Sequence, residues 1–251
     1  MDSIIAKELK LRYQPIATLF TDERPEDALQ FKEGERGCVI AMLTAAGEGK
    51  TVVFDRLSTG CRGGVAGLCF GSTFDQFPGG FEYFLSTGRG EGYPEGEGYK
   101  QTPELAKRFA ESINTVDLPF AYRVFMPLAK VNLERSTPDL VTFYANPDQL
   151  SALVVLANYG RVDNESVAIP FGAGCHSICL LPYHQAKKEL PRAIVGIIDI
   201  SARPKVDPDI LSFTVPFKMF QEMEGNVRGS FLDRKDWKKV SARIPDPAGR
   251  G

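Results

Sequence analysis

Gly37-Cys38-Val39-Ile40-Ala41-Met42-Leu43-Thr44-Ala45-Ala46-Gly47, followed after Glu48-Gly49-Lys50 by Thr51-Val52-Val53-Phe54, sets a helix directly before a strand. Residues 38–46 are small and apolar, which predicts a buried helix stopped at Gly47. Residues 51–54 are short and β-branched, which predicts a strand. Upstream, Ile16-Ala17-Thr18-Leu19-Phe20 reads as a further strand. Strand, helix and strand in succession place the chain in the α/β (α+β) class. The expectation is a mixed β-sheet flanked by helices, in a single compact domain over residues 1–244 with residues 245–251 as a tail.

The rest of the chain extends that pattern. Residues 2–12 have a helical period and end before Pro15. Residues 60–71, rich in glycine, turn into a short, tightly packed helix, and another helix spans 80–86. Residues 88–99 combine glycines, charges and Pro94 and cannot build a core, so they form an exposed loop, disordered or acting as a lid. Thr102 and Pro103 read as the cap and first position of a helix with Leu105, Phe109 and Ile113 on one stripe. Strands follow at 122–128 and 140–145. Asn146-Pro147-Asp148-Gln149 then opens a helix over 150–159 that is apolar nearly all round. Residues 167–169 and 193–200 read as strands, the second deeply buried, with a small-residue helix from Gly174-Cys175 to Cys179 between them. Residues 213–224 and 234–242 read as amphipathic helices. The order of strand, Gly-Cys helix and strand in 16–54 is echoed in 167–200.

Composition removes several functions. The chain has 251 residues, 43 % hydrophobic and 25 % charged, and a formal net charge of -2. A nucleic-acid binder would show a basic stripe. Arg234, Lys235, Lys238 and Lys239 are diluted by Asp233 and Asp236 and read as a solvated helix face. No run approaches the ~20 apolar residues of a membrane helix, and the charged first residues lack a signal-peptide core. The expected location is cytoplasmic, where thiols stay reduced. Five cysteines fit poorly with a disulfide framework. Neither nucleic acid nor membrane is an expected partner; a small molecule or redox partner is, and a homo-oligomer stays open.

The chemistry concentrates on a repeated dipeptide. Gly37-Cys38, Gly60-Cys61 and Gly174-Cys175 each set a cysteine on a corner where glycine lets the backbone turn tightly. Thiolates are soft ligands for zinc and for iron-sulfur clusters, but no Cys-x-x-Cys knuckle signals a closed zinc site. Three separated corners suit an iron-sulfur cluster better, with His176, Cys179, Cys69 or a substrate atom completing the ligation. The competing reading is that free cysteines pack as small hydrophobes, and Cys69 and Cys179 are read that way. Beside the thiols, Arg62, Gly63 and Gly64 could hold an anion against backbone N–H groups. His176 could be a ligand or lower the thiol pKa, and Arg203 could serve the same pocket. Only two histidines occur, and no Gly-x-Ser-x-Gly elbow is present, which leaves a Ser-His-Asp relay few builders. The glycines of 88–92 lack P-loop and Rossmann spacing.

The order of Pro15-Ile16-Ala17, Gly37-Cys38, Cys61-Arg62-Gly63-Gly64, Pro138-Asp139-Leu140-Val141, Asn146-Pro147-Asp148-Gln149-Leu150, Gly174-Cys175 and Asp199-Ile200-Ser201-Ala202-Arg203 resembles the uncharacterised family called domain of unknown function 169, over roughly residues 5–225. The resemblance implies a single-domain cytosolic α/β protein of a kind frequent in anaerobic bacteria and archaea. It implies metal or cluster binding at Cys38, Cys61 and Cys175, and it names no reaction. Cys69, Cys179 and the Gly/Glu loop have no counterpart in the family pattern. Three functions follow: a metalloprotein handling electrons or a small anion, a non-enzymatic small-molecule binder with structural cysteines, or a thiol redox protein. The cofactor is correspondingly an iron-sulfur cluster, zinc or none.

Overall fold

Alternation along the strands divides the apolar residues between two faces of one sheet. A computed structural model of the chain describes residues 1–88 and 95–246. Half of the predicted glycine-rich loop, residues 89–94, and most of the tail, residues 247–251, lie outside the described residues. The strands are β1 (Ile16–Thr21), β2 (Val52–Phe54), β3 (Tyr122–Pro127), β4 (Leu140–Ala145), β5 (Val167–Ala168), β6 (Ala193–Gly196) and β7 (Leu211–Pro216). They form a seven-stranded sheet in the order β2-β3-β1-β4-β7-β6-β5. Neighbours are antiparallel except β5 and β6, so the sheet is mixed, as the sequence predicts. Six strands are arranged symmetrically about the β1–β4 pair, with β7 and β6 standing to β4 as β3 and β2 stand to β1. The sequence echo set residues 167–169 against β1, whereas the topological counterpart of β1 is β4.

On one face Ala17, Leu19, Phe143 and Phe213 pack against helices α1 (Ile4–Glu8), α6 (Pro147–Asn158), α8 (Phe217–Gly225) and α9 (Lys235–Ser241), through Ile5, Leu153, Phe220 and Trp237. The other face carries Ile16, Phe20, Phe54, Phe125 and Tyr144. It is covered by α2 (Val39–Gly47), α3 (Arg62–Gly67) and the segment leading into α7 (Leu181–Ala186). Strands β1 to β4 therefore feed both layers with a period of two. A smaller cluster joins α4 (Phe81–Leu85) to α5 (Pro103–Ser112) through Phe77, Phe81, Leu85 and Ala106.

Local signals hold where capping chemistry decides. Asn146 and Gln149 form a reciprocal capping box at the start of α6. Thr102 accepts the Leu105 N–H at 3.2 Å at the start of α5. Tertiary context decides elsewhere. Residues 211–216, of which 213–216 read as helix, are strand β7, and the helix begins only at Phe217. Phe213 and Val215 face one core layer, and Thr214 Oγ1 meets Thr142 Oγ1 at 3.0 Å on the other face, so sheet pairing outweighs the helical spacing. The strand expected over 193–200 ends at Gly196, because Ile197 takes φ 57° and carries the chain out of the sheet. In α5 the buried face runs through Ala106, and Leu105 faces solvent. Val155 and Tyr159, expected inside an all-round apolar helix, are exposed. No helix among the described residues is long and apolar enough to cross a membrane.

Candidate functional site

All three Gly-Cys corners face one cavity on the second side of the sheet. Cys38 is the N-cap of α2, Cys61 the N-cap of α3, and Cys175 lies immediately before a π-helical turn, His176–Leu180. The corners are tied together. The Gly37 N–H donates to the Gly60 carbonyl at 3.0 Å. Gly60 sits at φ +73°, and a Cβ there would lie 2.8 Å from the Gly37 oxygen, so both the backbone angle and the approach require glycine. The Cys175 thiol donates to the Gly63 carbonyl at 3.5 Å, which joins the third corner to α3. Gly67 packs under it, where a Cβ would lie 2.3 Å from Cys175 Sγ.

The segment carrying Cys175 is fixed from β6. Ser177 Oγ donates to the Gly174 carbonyl at 2.7 Å and accepts the Ile197 N–H at 3.2 Å. The extra residue of the π turn closes with the Leu181 N–H on the His176 carbonyl. Such turns recur at functional positions. Here it separates two cysteines four residues apart, which a regular α-helix would put on one face. Cys175 lines the cavity, while Cys179 points into the core, its sulfur 3.9 Å from that of Cys69. Cys69 and Cys179 are both fully buried and belong to the packing.

The cavity holds about 210 Å³. Cys38, Cys61, Arg62, Gly63, Cys175 and His176 line it, so six of the eight residues singled out in the sequence meet there. Gly64 lies beneath the wall: its N–H donates to Cys61 Sγ at 3.2 Å, and a Cβ would lie 2.6 Å from the Thr59 carbonyl oxygen. The backbone groups expected to receive an anion at Gly63 and Gly64 are thus partly occupied by sulfur. Arg203, expected at this pocket, is elsewhere. Its guanidinium donates to the carbonyls of Ile197, Ile210, Asp207 and Pro208 and staples the turn before β7.

Sequence reading missed the rest of the wall. Phe74, Phe77, Phe81 and Phe84 line it, with Phe74 and Phe81 stacked at 4.3 Å. Their spacing of three, four and three was a legible sign of one aromatic face. Asp199 also lines the cavity and is 6 % exposed. Its Oδ1 has no hydrogen-bond partner among the described residues.

Burial governs the electrostatics. It raises the Cys61 thiol above its ordinary pKa although the residue is exposed on the cavity side, with the Gly64 N–H acting the other way. It raises Cys175 well above its ordinary value, and Cys61, Asp199 and Cys38 add to the rise. Among the described residues no group of three or more His, Cys, Asp or Glu side chains is arranged to hold a metal ion.

Burial lowers His176 to about 4, against a hydrogen bond with the Gly63 backbone that raises it. The unfolded chain binds this proton below pH ~6.5, whereas the folded chain binds it only below about 4. Stability from neutral His176 is therefore full above ~6.5 and lost as pH falls through that window, by about 3 kcal/mol in all. Urea unfolding at pH 7, 5.5 and 4.5 should show this loss in the wild type and a flatter profile in His176→Gln. Parallel profiles would show that the histidine is not held neutral.

A family model for domain of unknown function 169, described as an uncharacterised ArCR, matches residues 4–226 of the 251. That span includes every cavity-lining residue named above. No curated protein and no solved structure matches the chain. A family match over nearly the whole chain, with the expected sheet beneath it, is decisive: the chain belongs to the family of domain of unknown function 169.

Proposed function

We propose that Cys38, Cys61 and Cys175 together hold an iron-sulfur cluster at the wall of the cavity. One observation carries this reading: three thiols from three distant chain segments line one cavity. Thiols are the ligands that such a cluster takes; among the described residues no three metal-ligating side chains are drawn together, so loading would have to close the three corners. Burial also holds Cys61 and Cys175 as neutral thiols, so their ionisation calls for a bound cation, and loading would release protons. The cluster would supply an electron or an open iron position. Among the described residues Arg62 is the one lysine or arginine lining the cavity and would face an anion there. A reducing cytoplasm fits this use of free thiols. The thiol redox alternative is less favoured, because a reactive thiol needs a lowered pKa and both shifted cavity thiols move up. The aromatic wall favours small-molecule binding as a second reading.

Anaerobic reconstitution with iron and sulfide tests the proposal. The wild type should retain both in equal amounts, and loading should strengthen as pH rises. Cys38→Ser/Cys61→Ser/Cys175→Ser should retain neither, whereas Cys69→Ser/Cys179→Ser should load normally. A wild type that stays colourless and metal-free under strict anaerobiosis would overturn it.

A further inference from the structure

The aromatic half of the cavity is a site in its own right. Phe74, Phe77, Phe81 and Phe84, with Phe109 and Phe171 across from them, give it a largely apolar surface. The whole cavity, at about 210 Å³, exceeds the ~150 Å³ apolar cavity that takes benzene. Against this surface stands Asp199, buried, with Oδ1 unpartnered among the described residues. An isolated buried acceptor is costly, and ligand pockets often pair apolar walls with a few such polar groups. Two carboxylates, Asp199 and Glu97, line the cavity against Arg62, the one lysine or arginine lining it among the described residues, while Lys100 Nζ lies over the Phe109 and Phe171 rings at 4.1 and 4.9 Å.

We propose that this cavity binds an arylalkylamine, with its ring among the phenylalanines and its N–H groups directed to Asp199 Oδ1. Phenylalanine faces also attract a cationic head. Burial and the nearby Glu97 raise the pKa of Asp199, with the Gly174 N–H opposing, and a cationic donor would relieve that strain. The inference shares the cavity with the metal reading but does not depend on it.

Calorimetry on the metal-free protein tests it with 2-phenylethylamine, the anion 3-phenylpropionate, which carries a carboxylate on the same phenylethyl group, and ethylbenzene. The amine should bind at least tenfold more tightly than the acid. Asp199→Asn should weaken the amine tenfold or more and leave ethylbenzene unchanged, while Phe81→Ala should weaken both. Should Asp199→Asn not fold, the comparison of amine and acid on the wild type decides alone. Equal or tighter binding of the acid, or no binding of the amine, would overturn the proposal. So would an amine affinity indifferent to Asp199→Asn. The Cys38→Ser/Cys61→Ser/Cys175→Ser variant should still bind the amine, so failure here leaves the iron and sulfide result standing, and the reverse also holds.

Discussion

Arg123→Met should destabilise the fold by at least about 4 kcal/mol. Arg123 on β3 has no exposed surface and, among the described residues, pairs with no carboxylate. Its guanidinium instead donates to the carbonyls of Leu68 (2.7 Å), Cys69 (2.7 Å), Phe120 (2.8 Å), Tyr122 (3.3 Å) and Leu118 (3.3 Å). It also lies 3.9 Å from the centre of the Phe70 ring. Burial lowers its pKa, opposed by the neighbouring cysteines Cys179 and Cys69, yet arginine keeps its charge at any working pH. Methionine would fill the volume and leave several buried carbonyls without donors, at roughly 1–3 kcal/mol each. Arg123→Lys should recover little, because a compact ammonium cannot reproduce the planar fork or the stacking. The effect should reach the cavity, since Leu68 and Cys69 directly follow α3. Thermal unfolding should show Tm falling by ~10 °C or more. A loss below ~1 kcal/mol would mean that water replaces the guanidinium and that it is not the tie between α3 and β3.

Gly67→Ala should cost about 3 kcal/mol and disorganise the thiol wall. The added methyl would sit 2.3 Å from Cys175 Sγ, 2.8 Å from Cys175 Cβ and 2.9 Å from His176 Cδ2. Those atoms are held by the Ser177 hydrogen bonds and by Gly196, where a Cβ would meet Ser177 Oγ at 1.9 Å. The segment therefore has little room to retreat, and overpacking of this kind costs typically ~1–3 kcal/mol. Gly225→Ala is the matched control: nothing lies within 4 Å of its Cβ, and it ends α8. It should change stability by no more than about 1 kcal/mol, in the favourable direction. Chemical denaturation compares the two, and labelling of Cys175 reports whether the wall has moved. Equal stabilities for both variants would show that α3 and the Cys175 segment are not in contact as described.

The layered sheet was legible because its strands carry their own signal. Residues 16–20, 51–54 and 140–145 are apolar and β-rich, and each is a strand. β7 was hidden because Phe213 and Phe217 also suit a helical stripe, and only pairing with β4 along six positions separates strand from helix. The thiol wall was half legible. Glycine before cysteine marks corners, and the three corners do meet. What the chain conceals is the register between distant segments: the π turn that divides Cys175 from Cys179, the unpartnered Asp199, and Arg203 diverted to carbonyls.

Mass-mapped alkylation of the cysteines, with and without anaerobic loading of iron and sulfide, tests the shared thiol seat most directly. Unloaded, Cys61 and Cys38 should react, being exposed and half-buried, while buried Cys69, Cys175 and Cys179 stay unmodified. Loading should protect Cys38 and Cys61 together and change nothing at the buried three. An alkylation pattern identical in loaded and unloaded protein would contradict the account.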